Sequence, residues 1–486
     1  MPTVPMTGEV VAAAPRDGVV AKLVTILVVP VAVGLAALSG LQATTGSKLA
    51  VILPIAVAAG VALGLLALTR FSLYVMAMLV LRASMDLAKL SNVPAAGRAV
   101  GTLATPRGLD PTSLLGIVFL LAAGLWLAAQ HRQRGSLPGS TLRRTLLVFV
   151  VAAMLSVPAS VRLQASVVDL LRVLAAVAMF VVLEQLITSR AVLRQVLLAV
   201  YLSALFPLAY TTFGFLVGHP PSEVKNSLTR ITGPFGQSNA FGRYLMLLII
   251  FGVALYPHLG KRPRLALGGT LALSSVFLLL TYTRTAMVGA IIGLLVVGLL
   301  QSKRVLIALV VLGVCAVLVV PQLSTRFTSL STTATGSGNS LGWRLNYWTE
   351  VLPLANSNPV TGTGLNTTPY LTEEAKQPHN DFIRAYVETG LIGLGAYLAV
   401  LFALVALGIR AVRASPLRSF DRGVAVGYLG CALAFVAVSA ASNTLSDVVI
   451  LWYLFAFAAA AAAILQHPSP QGDRLVGTGG SPRGDY

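Results

Sequence analysis

Residues 264–300 read RLALGGTLALSSVFLLLTYTRTAMVGAIIGLLVVGLL. Two continuous apolar runs, 264–282 and 284–300, meet at one cation, Arg284, without the apolar/polar alternation of a half-buried strand. Runs of roughly 18 to 25 such residues recur from Val19 onward, each long enough to cross a hydrocarbon core of about 30 Å. A barrel strand needs only about ten alternating residues per pass. Continuous runs instead require helices, which satisfy their backbone groups within one segment. The fold class is therefore all-α, a polytopic transmembrane helical bundle of about 12 to 14 spans.

Working outward, apolar runs fall near 19–40, 48–68, 71–90, 111–130, 143–158, 165–187, 191–217, 239–257, 304–321, 381–409, 422–440 and 444–465. The run at 71–90 is the least regular because Arg82, Asp86 and Lys89 interrupt it, and 143–158 is short. This gives an N-terminal tail (1–18), a first group of spans (19–321), a large polar loop (322–380), a second group (381–465) and a Gly-, Pro- and Arg-rich tail (466–486). The first run, Val19 to Gly40, is longer than a signal-peptide core and has no convincing small-residue cleavage site, so it reads as an uncleaved span.

Hydrophobic residues make up 56% of the chain and charged residues 10%, yet the formal net charge is +19. The basic residues fall mainly in short connections between apolar runs, which points to membrane topology and away from nucleic acid. Basic connections at Arg132/Arg134/Arg143/Arg144, Arg190/Arg194, Lys261/Arg262/Arg264, Lys303/Arg304 and Arg410/Arg413/Arg418/Arg422 alternate with connections poor in charge. By the positive-inside rule they are cytoplasmic, as are both termini. The 218–238 connection, the turn at 281–284 and the long loop then face outward. Cys315 and Cys431 sit inside apolar runs and read as packing residues, with no disulfide framework or CxxC metal site.

Arg230, Arg284 and Arg344 lie on the outer face, where that rule gives no reason for cations. A guanidinium's planar fork of donors is suited to phosphate, so the three can form an anion clamp; the plainer reading is snorkelling or pairing with Glu350 or Glu373. Arg230 opens the turn-rich stretch RITGPFGQSNA, which can bring backbone N–H groups and Asn239 close to an oxygen-rich ligand. Arg284 stands at the junction of two spans, where a cation is costly without an anion or an aqueous cavity. In the loop, Trp343 to Leu352 has aromatic residues at helical spacing, including Trp348. That spacing predicts an interfacial helix with its rings at headgroup level, presenting Arg344. The Gly362-Thr363-Gly364 sequence reads more readily as a plain surface turn than as a phosphate loop.

His379, followed by Asn380, stands at the membrane lip. Its imidazole is the side chain best able to take a proton from a sugar hydroxyl near neutral pH, although a lone His is usually structural. Glu388 lies further along the same apolar run, where it can orient His379 or bind a hydroxyl.

The series Arg230-x-x-Gly233-x-Phe235-Gly236-x-x-Asn239, Tyr282-Thr283-Arg284-Thr285-Ala286, Gly342-Trp343-Arg344 with Trp348, Pro359, Gly362 and Gly364, and His379-Asn380-Asp381 with Glu388, Gly390 and Gly393 resembles the O-antigen ligase and Wzy-type polymerase superfamily. The resemblance is most specific from about 225 to 410; the N-terminal half matches in hydropathy and in an Arg82…Asp86 element. It implies an integral-membrane glycosyltransferase of GT-C-like type using a polyprenyl-diphosphate-linked glycan donor at the outer face of the inner membrane. The acceptor would be a glycan or lipid hydroxyl, with no nucleotide sugar, no metal and no other cofactor. Carried over, Arg230, Arg284 and Arg344 hold the diphosphate, His379 is the base, and Asn239, Trp348, Asn380 and Glu388 contact substrate. Independently of the resemblance, the first outer connection, Leu41 to Lys48, contains no acidic residue, which disfavours metal-assisted transfer. The alternative is a transporter or flippase of lipid-linked glycan, kept open by Arg172, Arg243 and Arg384 within spans.

Overall fold

A computed structural model describes residues 60–87, 111–137, 139–225, 228–319 and 340–467. The tails 1–18 and 468–486, the apolar run 19–40, most of 48–68 and the first part of the long loop lie outside the described residues, as does the side chain of Cys315. The chain divides into two compact units, Met1–Met78 and Leu79–Tyr486, and the second carries every candidate site residue.

The helices are α1 (Gly60–Thr69), α2 (Phe71–Arg82), α3 (Pro111–Arg134), α4 (Thr141–Ser156), α5 (Leu163–Leu186), α6 (Arg190–Leu202) and α7 (Leu205–Leu216), followed by α8 (Ser238–Leu255), α9 (Lys261–Leu280), α10 (Arg284–Leu300) and α11 (Lys303–Val319). The long loop contributes α12 (Ser340–Val351), and the chain continues through α13 (Asp381–Ala414), α14 (Phe420–Ser439) and α15 (Val448–Gln466). Among the described residues, nine helical segments are long and apolar enough to cross a membrane, so the chain is an all-α polytopic bundle. The expected span at 71–90 stops being helical at Arg82, and the expected span at 191–217 bends at Ser203 between α6 and α7. Sequence periodicity did not reveal a two-stranded antiparallel hairpin within 218–238, β1 (Ser222–Lys225) and β2 (Leu228–Ile231), which pairs Glu223 with Arg230.

α14 and α15 form the centre of the second unit. The run Ala458 to Ala463 on α15 is buried, and α14 packs on α8, α10 and α13. Small residues allow backbones to approach closely where lipid supplies no hydrophobic drive between helices. A Cβ on Gly430 of α14 would lie 2.9 Å from the Gly293 carbonyl oxygen of α10. Cys431 is buried on the same helix, as a packing cysteine should be.

α13 is broken where it matters for the site. Gly390 adopts φ 66° and ψ −168°, which interrupts the helical ladder at membrane depth. Freed backbone groups there must find partners within the protein. The 359–364 segment supplies them: Thr363 N donates to Val387 O (3.0 Å), Gly364 N to Glu388 O (3.0 Å), Leu391 N to Pro359 O (2.9 Å) and Ile392 N to Val360 O (3.2 Å). The Gly362-Thr363-Gly364 sequence is therefore not a surface turn. A Cβ on Gly362 would sit 2.4 Å from the Glu388 carbonyl carbon, and one on Gly390 would sit 2.2 Å from Val360 O. The long loop is thus stitched into a gap in α13. Gly390→Ala is expected to destabilise the protein and lower its melting temperature in detergent, because its φ and ψ lie in a region essentially restricted to glycine, costing ~1–3 kcal/mol, to which the clash with Val360 O adds. Gly395→Ala on the same helix, where nothing lies within 4 Å, should leave it unchanged.

Candidate functional site

The site is assembled at one end of the bundle. Thr283 Oγ1 donates to Ser238 O (3.1 Å), joining the α9–α10 turn to the start of α8. Glu223 of the hairpin accepts from Ser238 N (2.9 Å), tying β1 to the same point. From the long loop, Arg344 Nη1 donates to Ala441 O (3.0 Å) in the turn between α14 and α15.

That turn, Ala440 to Asp447, is fastened residue by residue. Arg243 of α8 binds both Ser442 and Asp447. Asp381, the first residue of α13, accepts from Thr444 N (2.9 Å), from the Thr444 hydroxyl and from Leu445 N (3.3 Å). Arg384 reaches Ser446. Between these anchors Asn443 presents its side-chain amide to His379, with Nδ2 3.1 Å from Nδ1 of the ring. Sequence reading assigned residue 444 onward to a span and missed this turn. The available signal was the polar hexapeptide Ser442-Asn443-Thr444-Leu445-Ser446-Asp447, together with the need of the in-span Arg243 for a counter-charge.

His379 borders a cavity of about 590 Å³. Its other walls come from Arg82 and Asp86, from Asp169 and Arg172 of α5, from Asn239 and Arg243 of α8, from Asn366, Tyr370, Lys376 and Gln377 of the loop, and from Asn443 and Asp447. Three of its arginines are paired within the wall: Arg82 with Asp86 (3.1 Å), Arg172 with Asp169 (3.8 Å), and Arg243 with Asp447. Arg384 lies behind the wall between Asp169 (2.7 Å) and Glu388 (2.9 Å). The in-span cations that favoured transport thus each have a partner inside the protein.

Of the residues singled out from sequence, Asn239 and His379 reach the cavity. Arg230, Arg284 and Arg344 are not among its lining residues, but the charge of Arg284 is felt at both Arg230 and Arg344. Burial holds the Arg230 and Arg344 guanidinium groups below their ordinary pKa, and the charge of Arg284 lowers both further, while Glu223 partly offsets the effect on Arg230. Lys225, although exposed at the end of β1, is likewise lowered, first by partial desolvation and then by Arg230, Lys376 and Arg344, against Glu223. The His379 imidazole is pushed down to about 4 by burial, then by Arg344, Lys225, Arg243 and Lys376. Its backbone is left-handed, φ 54°, a conformation uncommon outside glycine.

The remaining residues hold these in place. Asn380 caps α13, its Oδ1 accepting from Phe382 N (2.9 Å) and Ile383 N (3.2 Å). Trp348 Nε1 donates to Pro378 O (2.7 Å), bracing the segment before His379. Trp343 stacks on Tyr347 (5.1 Å between ring centroids) and meets His379 edge-on (5.8 Å). The α12 aromatics therefore pack against the loop and α13, not outward as an interfacial helix would place them, because Val351, Ala355 and Val387 offer them an apolar core. Glu388 is 1% exposed and its carboxylate receives Arg384, Asn366 N (2.7 Å) and the Thr368 hydroxyl (2.9 Å), so it fastens the loop and leaves no oxygen turned to the cavity.

Residues 269–398 match the family model Wzy_C, O-antigen ligase. This match supports a likeness of the segment to the O-antigen ligase and Wzy superfamily. No curated protein matches the chain in sequence. The matched segment contains Arg284, Arg344, Trp348, His379, Asn380 and Glu388, while Arg230, Asn239 and the Asn443 turn complete the site from outside the match. The family suggests a glycosyltransferase-like membrane enzyme of polysaccharide biosynthesis. Replacing Arg384 with Met would strand Glu388 as a buried charge and leave Asp169 with only Arg172, a loss of about 3–5 kcal/mol. Melts in detergent should show it, and the double change Arg384→Met with Glu388→Gln should recover part of the loss.

Proposed function

We propose that this protein transfers or polymerises a glycan from a polyprenyl-diphosphate-linked donor onto a hydroxyl of a glycan or lipid acceptor, at the outer face of the plasma membrane. The observation that carries this reading is that His379 lines a cavity rich in amide side chains and paired charges while it also feels the charges of Arg344 and Lys225, which in turn feel those of Arg284 and Arg230. The cations suit a diphosphate and the cavity a sugar. The outward orientation rests on the alternation of basic connections.

In the step proposed, the acceptor hydroxyl oxygen forms a bond to the anomeric carbon as the bond from that carbon to the diphosphate oxygen breaks. The hydroxyl proton passes to His379, and polyprenyl diphosphate leaves with the electron pair. Attack from the face opposite the leaving group inverts the anomeric centre. The arginines act most strongly as charge builds on the departing diphosphate, so they stabilise the transition state more than the bound donor. Asn239 contacts substrate from the cavity wall, and no metal is required.

Burial and the surrounding cations keep His379 neutral in the free enzyme, and a bound diphosphate opposes those cations. A lowered pKa means the base-competent form persists as pH falls and is lost only near the lowered value. The acid limb of kcat/KM should therefore lie well below 6.5, toward 4, with that of kcat at higher pH because it reports the complex. An acid limb of kcat/KM at or above 6.5 contradicts this. With a reconstituted polyprenyl-diphosphate oligosaccharide, His379→Ala and Arg284→Ala should each reduce kcat by about a hundredfold or more. EDTA should leave the wild type unchanged; full activity in His379→Ala, or loss with EDTA, would sink the mechanism.

A further inference from the structure

Resting on the reading of His379 as the base, we infer that Asn443 is a positioning residue that sets which ring nitrogen of His379 carries the proton, and that the reactive state has Asn443 Oδ1 accepting from Nδ1–H. A neutral imidazole has one N–H and one lone pair, and whatever holds one nitrogen decides the character of the other. Asn443 holds Nδ1, with its Nδ2 at 3.1 Å. While the amide N–H₂ donates there, Nδ1 is the acceptor and Nε2 carries the proton. In that state Nε2 is a donor and takes no proton from a hydroxyl.

The other end of the amide makes the choice reversible. Asn443 Oδ1 is buried and accepts no hydrogen bond from any described residue. A carboxamide has nearly the same outline either way round, so a half-turn exchanges oxygen and nitrogen without new space. One amide atom goes unpaired in either orientation, which keeps the two tautomers close in energy. The half-turn puts Oδ1 on Nδ1–H and frees the Nε2 lone pair.

The backbone around Asn443 cannot drift while this happens. Its neighbours Ser442, Thr444, Leu445, Ser446 and Asp447 are bound by Arg243, Asp381 and Arg384. Only the Asn443 side chain is left to answer the ring. The residue type also fits: an uncharged amide controls the tautomer without adding an anion, so the ring among Arg344, Lys225, Arg243 and Lys376 stays neutral.

The test uses full-length protein in detergent or nanodiscs with ¹⁵N-labelled histidine, assigned through His379→Ala, and needs no turnover. With a soluble isoprenyl diphosphate bound, the wild type should show Nδ1 protonated and Nε2 unprotonated. In Asn443→Leu the tautomer population should shift and kcat should fall at least tenfold with donor KM little changed. Asn443→Asp, whose carboxylate only accepts, should keep Nδ1 protonated, retain most of kcat and move the acid limb of the pH profile upward. A wild-type ring protonated at Nε2 in the bound state, or Asn443→Leu with wild-type tautomer and kcat, overturns the inference. Neither result depends on whether His379→Ala is inactive, so failure here and failure of the base assignment are separable.

Discussion

Arg384 is a cation within the bundle, 2% exposed, and the site depends on how it is paired. Its guanidinium joins Asp169 of α5, Glu388 one turn along α13 and Ser446 of the turn before α15. A charge at that depth is tolerated only with such partners, so three distant segments are held to one geometry. Through Glu388 the same network reaches Asn366 and Thr368 of the long loop. The break in α13 at Gly390 completes the arrangement, because the loop backbone replaces hydrogen bonds the helix gives up. The loop is fixed to the membrane helices at the point from which His379 must be aimed.

On this frame the charges are sorted. Arginines that border the cavity each face a carboxylate, which makes the cavity polar but nearly neutral. Outside the cavity wall, Arg230 and Arg344 both feel the charge of Arg284, and Lys225 feels Arg230 and Arg344, with Glu223 acting against this at Arg230 and Lys225. The proposed donor, a diphosphate joined to a saccharide, would use both kinds of surroundings.

The helical class was legible because continuous apolar runs admit one solution in lipid. Arg230, Arg284, Arg344 and His379 could be singled out because the positive-inside rule left the arginines unexplained and placed the histidine beside them. Periodicity could not show that Glu388 and Asn380 serve the scaffold, since their partners at Arg384, Asn366 and Phe382 depend on the fold. The aromatic spacing in α12 predicted the helix correctly, but the core that draws Trp343 and Tyr347 inward comes from Val387, on another element. Asn443 was invisible for a related reason: a single amide gains meaning only from the ring it meets.

The central claim is that the arginine cluster binds a diphosphate beside His379. Its most direct measurement is the affinity of the purified protein for a short-chain isoprenyl diphosphate against the matching monophosphate. The diphosphate should bind at least tenfold more tightly, with an affinity that falls with salt, and Arg230→Ala should lose that preference. Equal affinity for the two, or an unchanged preference in the variant, would contradict that claim.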